Sequence, residues 1–101
     1  MTTVFTAYVG LESQNEELSK HSNKATLIGL LNASDLSYSI VYADGMYLGT
    51  EEDSAIITCI AEEEAGGYTK HKLIKALNSY KLLAQQQEVW LTERQEYLEV
   101  L

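Results

Sequence analysis

Three adjacent acids, Glu51-Glu52-Asp53, stand at the mouth of a β-branched apolar run that ends at Cys59 and Ala61. A carboxylate held at the start of a core strand can face a cleft and bind positive charge, or it can simply solvate a hairpin loop. Glu88, just ahead of Val89-Trp90-Leu91, is a second acid in the same kind of position. Other chemistries find less support. His21 and His71 are far apart and have no carboxylate or cysteine at ligand spacing, so no metal site is expected. Gly66-Gly67 lacks the spacing of a phosphate-cradling loop, and no Ser-His-acid constellation can be argued from spacing. The single cysteine, Cys59, excludes an internal disulfide and fits a reducing compartment; in a strand-like run it reads as a small core residue. What remains is Glu52 (or Glu51), Glu88 and the tyrosines.

The elements that must carry these groups follow from periodicity. Val4 to Leu11 is nearly continuously apolar and predicts a strand buried on both faces. Glu12 to Lys20 is a polar loop, and Ser22 or Asn23 can cap a short helix over Lys24 to Asn32, where Leu27, Leu30 and Leu31 form a stripe. Leu36 to Tyr42 alternates as a second strand, Ala43-Asp44-Gly45 predicts a turn, and Ser54 to Ala61 predicts a third strand. Glu62 to Gly67 is a charged, glycine-containing break. Thr69 can cap a second helix over Lys70 to Gln87, and Glu88 to Thr92 is a fourth strand, with Trp90 in the core. Tyr97 to Leu101 is a further short strand or a tail that pairs with a neighbouring subunit.

Strand, helix, strand, strand, helix, strand is the order of an α+β, ferredoxin-like βαββαβ sandwich: an antiparallel sheet with both helices on one face. The 101 residues make one such domain, 1–101. A first strand more apolar than two helices can cover points to an oligomer. In such a sheet the third and fourth strands are not neighbours, so whether Glu52 and Glu88 meet depends on packing between subunits.

A formal net charge of −8 argues against nucleic acid as a partner, because phosphate binding needs clustered Lys and Arg. It leaves a cationic small molecule drawn by the field, or a surface that mimics nucleic acid and occupies a basic protein. No segment has the roughly 18 to 20 apolar residues of a membrane span, and the start lacks the pattern of a secretion signal.

Several segments, in their order and spacing, resemble the phage-encoded S-adenosylmethionine lyases, formerly called SAM hydrolases. They are Val4-Phe5, Ser19-Lys20-His21, Gly45-Met46-Tyr47, Thr50-Glu51-Glu52 with the apolar strand to Cys59, and Gln86 to Thr92 with its acid. The likeness covers about Val4 to Glu93; the link from Tyr47 to Glu52 is shorter than in that family. The resemblance implies a homotrimer with sites between subunits, acting on S-adenosylmethionine in the host cell cytoplasm without cofactor or metal. The products would be 5′-methylthioadenosine and L-homoserine lactone, which depletes the methyl donor of restriction-modification systems. By the same resemblance Glu52 binds the ammonium or sulfonium end, Glu88 assists, and Tyr47 orients the amino-acid part. Ser19, His21 and Glu51 are the candidate substrate contacts, although Ser19 and His21 also read as a helix cap and a surface histidine. The competing readings are a ligand-binding trimer without turnover and an acidic DNA mimic.

Overall fold

A computed structural model describes residues 2–13, 19–47, 49–61 and 67–101; the side chains of residues 46 and 47 lie outside that description. The elements run β1 (Thr2–Gly10), α1 (Lys20–Ala33), β2 (Tyr38–Tyr47), β3 (Thr50–Ala61), α2 (Gly67–Leu83) and β4 (Trp90–Glu96). They form one four-stranded sheet in the order β2-β3-β1-β4, antiparallel throughout. This is the ferredoxin-like arrangement that the element order predicts.

Strand β1 lies between β3 and β4, and nearly all its residues are buried. Alternation sorts its residues. Phe5, Ala7, Val9 and, beyond its end, Leu11 join Ala55, Ile57 and Cys59 of β3 in one core with Leu27 and Leu31 of α1 and Leu73, Leu77 and Tyr80 of α2. Both helices therefore cover the same face, and Cys59 is a fully buried core residue whose thiol is pushed up to about 11 by burial. The opposite face carries Tyr8, Val41, Ile60 and Trp90, all substantially exposed. Trp90 is thus not a core residue: it pairs with Tyr8 on the side of the sheet that no helix covers.

Several boundaries differ from expectation. The cap of α1 is Ser19, whose side chain accepts from the Ser22 amide, so the helix starts before Lys24. Asn23, a predicted cap, is instead buried and donates to the Leu11 carbonyl and Ser13 Oγ, tying α1 to the end of β1. Asp44-Gly45 makes no turn: both residues stay in the ladder, opposite Asp53 and Glu52. The chain reverses between Tyr47 and Thr50, where Gly49 has φ +80° and supplies the left-handed conformation that glycine adopts without strain. The three acids accordingly lie inside β3. Helix α2 opens at Gly67, which puts Thr69 within it, and stops at Leu83 rather than Gln87. Strand β4 begins at Trp90, so Glu88 belongs to the connection before it, and beyond Glu96 no regular structure forms. Most of the predicted charged break, residues 62–66, lies outside the described residues.

Candidate functional site

The site is set by where β1 stops. Strands β3 and β4 both run antiparallel to β1, so both start beside its C-terminal end: Gly10 pairs with Ser54, and Tyr8 pairs with Trp90. Two strands that never touch each other thereby bring their first residues to the same place. A cleft of about 660 Å³ opens there, lined by Gly10, Glu12, Glu51, Glu52, Glu88 and Trp90 among others. Glu52 and Glu88 line it together within one chain, so packing between subunits is not what decides whether they meet.

Gly10 is the floor. Its position in β1 turns its α-hydrogen to the open face, and a Cβ there would run into the Glu52 and Gln86 side chains, the latter at 2.6 Å from Oε1. Only glycine lets both groups lie against the backbone. From below, Tyr80 of α2 donates its hydroxyl to the Gly10 carbonyl at 2.6 Å. Burial first, and then the charge of Glu52, holds the Tyr80 phenol above its ordinary value, so it stays a donor.

Glu52 is half-buried. Removal from water, together with the neighbouring Glu12 carboxylate, raises its pKa above the usual glutamate value, while a hydrogen bond from the Glu12 backbone opposes the shift. Its place in β3, opposite Gly45 of β2, puts it on the open side of the sheet. Asp53 points the other way and pairs with Lys20 at the start of α1, a contact that lowers its pKa and leaves it a structural role. Glu12 binds the wall together: its carboxylate accepts from the Asp53 amide at 3.0 Å, and its carbonyl accepts from Gln86 Nε2 at 2.6 Å.

Gln86 reaches the cleft through the way α2 ends. Gln85 adopts φ 54°, the Gln86 amide donates to the Lys81 carbonyl at 2.9 Å, and the Gln85 amide donates to Leu82 at 3.4 Å. This pair of bonds is a Schellman closure with glutamine where glycine is usual. It folds the chain back over the end of β1. Ser13 Oγ clamps the same turn by donating to the Ala84 carbonyl.

The described lining holds four carboxylates, from Glu12, Glu51, Glu52 and Glu88, and no Lys or Arg. Such a cleft favours a cation, with Tyr8 and Trp90 offering ring surface beside it. Ser19 and His21 are exposed on α1 and are not among the lining residues; Ser19 is the helix cap. The Tyr47 backbone pairs with Thr50 beside the acids, and its side chain lies outside the described residues. Sequence reasoning missed Gly10, Glu12 and Gln86. The signal that could have found the first two is the sequence Gly10-Leu11-Glu12, where a buried strand ends on glycine and an acid follows; nothing of the kind marks Gln86.

No family model and no curated protein matches the chain. Solved structures do. A phage SAM lyase in its apo state superposes with a TM-score of 0.69 at 18% identity, covering 91% of this chain and 78% of the other. A phage SAM lyase in complex with S-methyl-5′-thioadenosine gives 0.68 at 18% identity, covering 92% and 80%. A de novo designed protein, Foldit4, gives 0.63 at 10% identity, covering 96% and 100%. The shared feature is the fold, and it extends over most of each chain.

Proposed function

We propose that this chain is an S-adenosylmethionine lyase whose active site is the acidic cleft at the end of β1. The observation that carries the reading is the convergence of Glu52 and Glu88 in one cation-favouring cleft, in a fold shared with phage SAM lyase structures, one of them holding S-methyl-5′-thioadenosine. The ligand named for that protein is the thioether that the reaction would release.

In the proposed step a carboxylate oxygen of S-adenosylmethionine attacks its own γ-carbon. A C–O bond forms, the Cγ–S bond breaks, and its electron pair leaves on sulfur. The products are neutral 5′-methylthioadenosine and L-homoserine lactone, which keeps the ammonium group. Nucleophile and leaving group belong to one molecule, so the protein chiefly has to hold the cyclised conformation. Carboxylate and sulfonium lose charge together, so a site that excludes water favours the transition state. No metal, general acid or covalent intermediate is needed. Glu52 takes the cationic end of the substrate, Glu88 and Glu51 add field from the other parts of the wall, and Tyr47 orients the amino-acid part.

The uncovered face supports an oligomer. Tyr8, Val41, Ile60 and Trp90 expose apolar surface that runs up to the cleft. A trimer packed through it would close the site with a neighbouring subunit, and depletion of the methyl donor would serve restriction evasion in the host cytoplasm.

Incubation with S-adenosylmethionine followed by chromatography tests the reading. The expected result is 5′-methylthioadenosine and homoserine lactone formed without added metal, and loss of most of the rate in Glu52→Gln. Binding without product would instead favour a ligand-binding module, and no turnover by the wild type sinks the lyase.

A further inference from the structure

Resting on that reading, we propose that Gln86 and Glu52 together form the subsite for the substrate's α-ammonium group, on the floor made by Gly10. The argument starts with the Gln86 amide. Its Nε2 lies 2.6 Å from the Glu12 carbonyl, which can only accept, so the nitrogen must face that carbonyl. Oε1 is then necessarily turned the other way, over Gly10. Glu52 Oε1 comes to the same point from β3. Two oxygens from different elements, one of an amide and one of a carboxylate, thus converge above a residue with no side chain.

Two acceptors facing one space call for a ligand group that donates at least two hydrogen bonds. Of the two cationic centres in S-adenosylmethionine, the ammonium has three N–H donors and the sulfonium has none. The amide oxygen therefore discriminates between them in a way that a field of carboxylates alone does not. The chemistry points the same way. The sulfonium loses its charge in the reaction, and a carboxylate held against it would stabilise the reactant more than the transition state. The ammonium keeps its charge from substrate to lactone. Acceptors on the ammonium cost nothing at the chemical step, because its charge is the same before and after it.

Within this subsite the neutral Gln86 acceptor contributes binding that is equal in substrate and transition state, so its loss appears in KM. Gln86→Leu keeps the size of the side chain and removes the acceptor. The test measures its affinity, against that of the wild type, for three ligands. They are decarboxylated S-adenosylmethionine, which keeps the ammonium and cannot cyclise; the analogue lacking only the α-amino group; and 5′-methylthioadenosine. A hydrogen bond to a charged group predicts a roughly tenfold or larger loss for the amine-bearing ligand. The other two should bind as before, and turnover of S-adenosylmethionine should show raised KM with kcat within about twofold. Equal weakening of all three ligands would mean that Gln86 only ties the loop, and would overturn the subsite. An unchanged preference for the amine in a variant that still turns over S-adenosylmethionine would overturn it and leave the lyase standing. A wild type that binds none of the three removes both.

Discussion

Glu52 occupies a place where the fold works against its charge. Partial burial and the Glu12 carboxylate raise its pKa, and the one hydrogen bond from the Glu12 backbone does not offset them. The folded chain therefore releases this proton less readily than the unfolded chain does. Above the folded pKa the ionised side chain costs stability; as pH falls the folded form takes up its proton first, and below the ordinary glutamate value the cost is gone. Glu52→Gln is expected to melt at a higher temperature than the wild type at pH 7. The difference should shrink on acidification and vanish below about pH 4. Thermal melts of both proteins across that range check it, and a variant that melts lower at pH 7 would contradict the account. Combined with loss of turnover, a gain in stability is the mark of a residue kept for its chemistry. Composition could not separate Glu52 from Glu51 and Asp53. Register separates Glu52 from Asp53, which turns toward Lys20 while Glu52 faces the cleft.

The elements were legible in kind and order, and less so at their ends. Apolar stripes on β1, β3 and both helices found the core because burial dictates them directly. The reversal was misplaced because Asp44-Gly45 is a strong local turn signal, yet ten consecutive pairs with β3 override it. The end of α2 was hidden because no glycine marks it. Gln85 takes the left-handed position there, at a cost of roughly 1 to 2 kcal/mol for an L-residue outside its preferred region. That strained corner is what sends Gln86 over Gly10 and delivers Glu88 to the cleft. Replacing Gln85 with glycine should preserve the Schellman bonds and remove the strain. We expect a higher urea midpoint with an unchanged slope, equivalent to a stability gain of up to about 1 kcal/mol, and undiminished turnover. A lower midpoint would show that the Gln85 side chain holds the corner by contacts of its own.

At the scale of the molecule, the sheet has one face under helices and one without them. Ile60 lies on the open face near the C-terminal end of β3, opposite Val4 of β1, and is 49% exposed. If this face joins three copies, Ile60→Lys should convert the wild-type trimer to monomers, at little cost to the fold of each chain. Light scattering during size-exclusion chromatography reads the mass directly, and a monomeric wild type would refute the trimer. The strand offsets carry one more consequence. Past Ser54 the β1 ladder ends, so the stretch of β3 that bears Glu51 and Glu52 has a ladder partner only in β2. Its further ties are the Leu11 amide on the Asp53 carbonyl, the Asp53 amide on the Glu12 carboxylate and the Asp53–Lys20 pair. The far wall, with Gln86 and Glu88, is anchored by the clamped end of α2. A two-stranded ribbon is marginal by itself, whereas a strand with partners on both sides is stiff. The cleft is in effect a vice with one fixed jaw and one sprung jaw, and Glu52 sits at the spring's root.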